Sequence, residues 1–84
     1  MSTPNRHGAI QRAIVVWLQR FQDGGDIIGI AAGVYQLKRR EDVSKSQHVA
    51  VRRAIKRLVD QGYVQRSSYR SLHGYEKWHP LGQQ

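Results

Sequence analysis

Across residues 44–56 the chain places hydroxyl, ammonium, amide, imidazole and guanidinium groups close together: Ser44, Lys45, Ser46, Gln47, His48, Arg52, Arg53 and Lys56. These are hydrogen-bond donors in quantity with no acid among them, a set that suits a polyanion better than it suits catalysis. A glutamine amide pairs bidentately with the edge of adenine, and an arginine guanidinium does the same with guanine. Gln47 and Arg52 are therefore the candidates for reading bases, with His48 a further donor whose charge depends on pH. Ser44, Lys45 and Ser46 suit phosphate, helped by the free amides of a helix start. Arg53, Lys56 and Arg57 are spaced around a helix, so they cannot all enter one groove; Arg53 and Lys56 are candidates for flanking phosphates.

Other chemistries find less support. His7, His48, His73 and His79 have no helical metal-ligand spacing, and no cysteine accompanies them. Only His73 and His79 are placed to approach one another across a hairpin. Asp23, Asp26, Glu41, Asp42, Asp60 and Glu76 fall mostly at expected turns and helix ends, where capping or charge balance accounts for them. Gly24, Gly25, Gly29 and Gly33 do not have dinucleotide-binding spacing. No enzyme, no metal and no cofactor is expected.

The charge is concentrated. Of a net +8 over 84 residues, most lies in residues 38–57, where Lys38, Arg39, Arg40, Lys45, Arg52, Arg53, Lys56 and Arg57 face only Glu41 and Asp42. A local field of one sign steers a polyanion to that surface. The length suits one domain with a modest core. No apolar run nears the ~20 residues that span a bilayer, and the N-terminus lacks a signal-peptide core, so a cytoplasmic, soluble protein is expected.

The elements that must hold these groups follow from periodicity. Residues 1–8, with Pro4, Arg6 and His7, read as a disordered arm; Thr3 or Asn5 could begin the first cap. Residues 9–22 form a helix whose Ile10, Ala13, Ile14, Trp17, Leu18 and Phe21 turn inward, with Gln11, Arg12, Gln19 and Arg20 elsewhere. A short strand is expected at residues 27–30, because β-branched residues and Gly29 disfavour helix. A helix over residues 31–40 follows, with Val34, Leu37 and Tyr35 inward and Lys38, Arg39 and Arg40 complementing its C-terminal dipole. Ser44 or Ser46 caps a third helix, whose Val51, Ala54, Ile55 and Leu58 form an inward stripe widened by Val59, while Gln47, His48 and the cations lie elsewhere. Gly62 ends it. Residues 63–69 and 75–79 then make a hairpin turning at residues 70–74, with Trp78 closing the core. Pro80 begins a tail through residue 84.

The order helix, strand, helix, helix, hairpin resembles the winged helix-turn-helix domain of transcription regulators. The resemblance rests on Val34-Tyr35-Gln36-Leu37, on Val43-Ser44-Lys45-Ser46, and on the run from Val51 through Gly62-Tyr63-Val64 to Arg66. It covers residues 9–79 and implies an α+β winged helix: a three-helix core, a short strand and a C-terminal β-hairpin wing. It further implies sequence-specific binding of double-stranded DNA by a small basic transcriptional regulator. Helix 46–61 would lie in the major groove, and hairpin 63–79 on the flanking backbone or minor groove. Arg39 and Arg40 would clamp the backbone beside the helix-turn-helix, and Arg66, Arg70 and His73 would reach it from the hairpin. The alternative is a protein–protein interaction module in a larger assembly, using the tyrosines and Trp78. A homodimer is open to it, with the first helix, or Leu72 and Trp78, as the contact.

Overall fold

The computed structural model describes residues 8–80. The N-terminal arm with Thr3, Asn5, Arg6 and His7, and the tail after Pro80, lie outside these residues. The first helix, α1, spans Ala9–Arg20 and buries Ile14 and Leu18 at the expected spacing, with Ile10 and Trp17 packed beside them. Two positions differ from expectation. Gln11 is only 5% exposed. Phe21 leaves helical geometry as the C-cap and is 51% exposed. Its ring rests on Trp17 at the core margin instead, with centroids 4.6 Å apart.

The next segment corrects the sequence reading most. The strand, β1, is only Gly25–Asp26, and residues 27–30 open helix α2, Ile27–Val34. Asp26 is the reason. Its Oδ1 accepts the Gly29 amide at 2.8 Å, capping the helix where β-branched residues suggested a strand. Ile30 and Ala31 are buried and Ile27 and Val34 pack against the core, so tertiary burial overrides weak propensity. Gly33 of α2 and Gly25 of β1 make room for Trp17. A Cβ at Gly33 would overlap the Trp17 indole at Nε1 and Cδ1, and one at Gly25 would lie 2.7 Å from its Cη2.

Helix α2 also stops early. Gln36 takes a left-handed φ of 58°, and the Leu37 amide bonds back to the Ala32 carbonyl at 2.8 Å. Lys38, Arg39 and Arg40 therefore lie beyond the helix and do not complement its dipole. A 3-10 turn, Arg40–Asp42, leads to α3, Lys45–Asp60. Val51, Ala54, Ile55 and Leu58 are buried as expected, whereas Val59 remains 36% exposed. At the end Gly62 has φ +85°, and the Tyr63 amide reaches the Leu58 carbonyl at 2.9 Å. The chain thereby turns from helix straight into strand.

Strands β2, Val64–Arg70, and β3, Glu76–Pro80, form the hairpin, and β1 pairs along the other edge of β3, giving the antiparallel order β1-β3-β2. Pro80 pairs with Val64 and so belongs to the sheet rather than to a tail. Trp78 pairs with both Gly25 and Arg66 and packs on the core, the place expected of it. The fold is thus a small α+β arrangement of three helices and a three-stranded antiparallel sheet. All three helices and Val64 of β2 contribute to one core.

Asp26 ties these layers together. It is 3% exposed and receives both guanidinium nitrogens of Arg40, Nη1 to Oδ1 at 3.1 Å and Nη2 to Oδ2 at 2.9 Å. Burial pushes its pKa up. Hydrogen bonds from Arg40, Ser71 and the Gly29 amide, together with the Arg40 charge, outweigh burial and hold it below the usual carboxylate value.

Candidate nucleic-acid interface

The start of α3 is built by a reciprocal cap. Ser44 Oγ accepts the Gln47 amide at 3.1 Å, and Gln47 Oε1 accepts the Ser44 amide at 2.9 Å. This satisfies two amides that a helix start leaves without partners. It also changes the standing of Gln47. Spaced four, seven and eleven residues before Val51, Ala54 and Leu58, Gln47 extends the buried stripe and is itself half-buried. Its carbonyl is engaged by the cap, whereas pairing with adenine needs both carbonyl and amino group facing outward. The expectation that it lies off the inward stripe is therefore corrected. Ser44→Ala should cost about 1 kcal/mol in a urea titration. A variant as stable as the parent would show that the cap contributes nothing.

The outward face of α3 carries Lys45, Ser46, Val49, Arg52, Arg53 and Lys56, all exposed. Val49 stands three, four and seven residues before Arg52, Arg53 and Lys56, opposite the buried stripe, and is 42% exposed. Sequence reasoning passed over it because a valine reads as core by type. Counting around the helix from Val51 and Ile55 would have placed it outside. An apolar side chain there is suited to the methyl group of thymine.

His48, Arg52 and Lys56 follow one another at four-residue steps on the flank toward the hairpin. His48 and Arg52 share a cavity of about 310 Å³ with Arg70, Tyr75 and Trp78. Arg52 and Lys56 line an adjoining one of about 210 Å³, again against Trp78. Helix and hairpin therefore form the two walls of one cleft, with cations on both. Arg53 and Arg57 turn the other way, toward the start of α1. Among the described residues Arg39, Arg40 and Arg66 stand in ion pairs, whereas the cations of α3 do not.

The remaining expected contacts divide. Arg40 is committed to Asp26 and does not stand free as a backbone clamp. Arg39 meets Asp42 at 3.6 Å with both side chains well exposed, a pair too weak to hold it from another anion. Arg66 is bridged to Glu76 at 3.0 Å, and Glu76 itself lines the cleft beside Arg52 and Trp78. Arg70 donates Nη1 to the Gly74 carbonyl at 2.8 Å, which steadies the turn and leaves its other donors at the cleft. His73 is exposed at the tip. His79 faces Gln65 at 3.4 Å, and no group of three metal-ligating side chains occurs among the described residues. No helix among them is long and apolar enough to cross a membrane. No protein-family model, curated protein or solved structure matches this chain.

Proposed function

We infer that the chain binds double-stranded DNA in the manner of a winged helix-turn-helix transcription regulator, with α3 entering the major groove and the hairpin lying on the adjacent backbone or minor groove. The observation that carries this reading is the outer face of α3. It is a convex ridge of cations free of ion pairs, flanked by a cleft whose far wall supplies Arg70. A helix with its side chains is about 10–12 Å across and fits a major groove about 12 Å wide. Element order and sheet order are compatible with such a fold, in which a three-helix body presents its third helix. Arg52 and Val49 are the base-facing residues in this reading, with Lys45, Arg53, Lys56 and Arg70 on phosphates. Gln47 serves mainly to fix the helix start. The protein-interaction alternative draws on the exposed tyrosines and Leu72 of the hairpin.

The test is binding to labelled duplexes across a range of salt, read by fluorescence anisotropy. Four phosphate contacts would give a log–log slope of roughly −3.6. Arg52→Ala should cost about 1–3 kcal/mol of discrimination between preferred and random duplexes. Lys56→Ala should weaken both alike and reduce the slope by about 1. Equal losses on both duplexes for Arg52→Ala would sink the division of labour. Absence of any salt-dependent association would remove the DNA reading itself.

A further inference from the structure

The far end of the hairpin is built more rigidly than a loop that merely joins two strands, and it displays an apolar tip. The Ser71 amide bonds the Tyr75 carbonyl at 2.8 Å, and the Gly74 amide bonds the Ser71 carbonyl at 2.9 Å. Ser71 Oγ takes the amides of His73 and Tyr75 at 3.2 and 3.3 Å. Arg70 bonds the Gly74 carbonyl from outside, and Gly74 supplies the left-handed φ of +85°. On this frame Leu72 is fully exposed, at 103% of its reference area. Behind it Tyr69 is 77% exposed. Arg66 pairs with Trp78 and Arg70 with Glu76, so Ser67, Ser68 and Tyr69 lie opposite Lys77 alone, and the irregularity turns Tyr69 outward. Arg70 and His73 place cationic or hydrogen-bonding groups beside the leucine.

Phosphate contacts explain Arg70 and His73 but not Leu72, since a sugar–phosphate backbone has little apolar surface to offer. The stacked faces of a base step do. Apolar side chains enter such steps from the minor groove, partly unstack them and kink the duplex, while flanking cations hold the phosphates. We propose that Leu72 is such a wedge, and that the protein bends the DNA it binds. This rests on the duplex-binding reading above. With α3 in the major groove, the facing minor groove lies about half a helical turn away, or about 17 Å. The molecule is 38 Å in its longest dimension, enough to span both. The step beneath Leu72 then contributes to sequence preference through its deformability, favouring TA or CA/TG.

The experiment uses duplexes labelled at both ends for energy transfer, selected from a random pool by binding, with 2-aminopurine substituted at successive adenines. The full chain should shorten the end-to-end distance by an amount matching a kink of about 20° or more, and brighten 2-aminopurine at one step. Leu72→Ser should abolish both signals, lower affinity by about tenfold or less, and leave the salt slope and the melting temperature unchanged. Leu72→Met should retain both. A duplex bound but straight, or bent equally by Leu72→Ser, overturns the wedge while leaving duplex binding intact, and points the tip toward a protein partner. If no duplex is retained at low salt, the duplex-binding reading fails and the wedge with it.

Discussion

Asp26→Ala is expected to cost about 3 kcal/mol, a large share of the 5–15 kcal/mol that holds a domain together. The carboxylate is 3% exposed, and its loss would leave the Arg40 guanidinium facing an empty pocket. It would also uncap α2 at Gly29. Arg40 is one-third exposed and can turn to water, which keeps the loss toward the lower end for a broken buried pair. Asp26→Asn keeps the cap and should lose less. The same residue sets an acid sensitivity. Because the folded carboxyl sits below its ordinary value, the unfolded chain takes up the proton first. The stabilisation is therefore complete above the ordinary aspartate pKa and is lost as pH falls through the folded value. Urea titrations at neutral and acid pH provide the check. If Asp26→Ala loses under 1 kcal/mol at neutral pH, or shows the same acid sensitivity as the parent, Asp26 does not have this role.

Gly33→Ala is expected to destabilise by about 2–3 kcal/mol, although alanine in a helix interior ordinarily gains about 1 kcal/mol over glycine. The sign reverses because the added carbon would meet the rigid indole of Trp17 where the two helices approach closest. The indole has little slack, as its six-membered end lies against Gly25. Trp17→Phe should relieve part of the clash, so Gly33→Ala should be less harmful in that background than in the parent. A thermal melt of the four proteins measures this coupling. A single Gly33→Ala variant that melts at or above the parent would show that the two helices are not in this contact.

What was legible in the sequence follows from how local each cause is. The buried Val51, Ala54, Ile55 and Leu58 of α3 and its glycine stop, Ile14 and Leu18 of α1, the hairpin and the core position of Trp78 all come from periodicity and turn chemistry within one element. Failures arise where the cause lies elsewhere in the chain. Nothing near Gly33 reveals that a tryptophan at position 17 needs its missing side chain. The pairing of Arg40 with Asp26, fourteen residues away in sequence, is invisible to any local pattern. Gln47 is a different case. The spacing Ser44-Lys45-Ser46-Gln47 is itself a capping signature, although the same amide also suits a base edge. Val49 was likewise available from counting alone.

The order β1-β3-β2 gives the last strand the central place. β3 is the middle strand, so both of the others depend on residues 76–80 for their backbone partners. While the chain is being synthesised, the first fifty residues past β1 must emerge with its two residues unpaired, and β2 has no neighbour until the turn is made. The helices can collapse on one another before that, but the wall that faces α3 across the cleft does not exist yet. A chain cut before residue 76 would carry the sequence of all three helices and neither of the pairings that make the sheet.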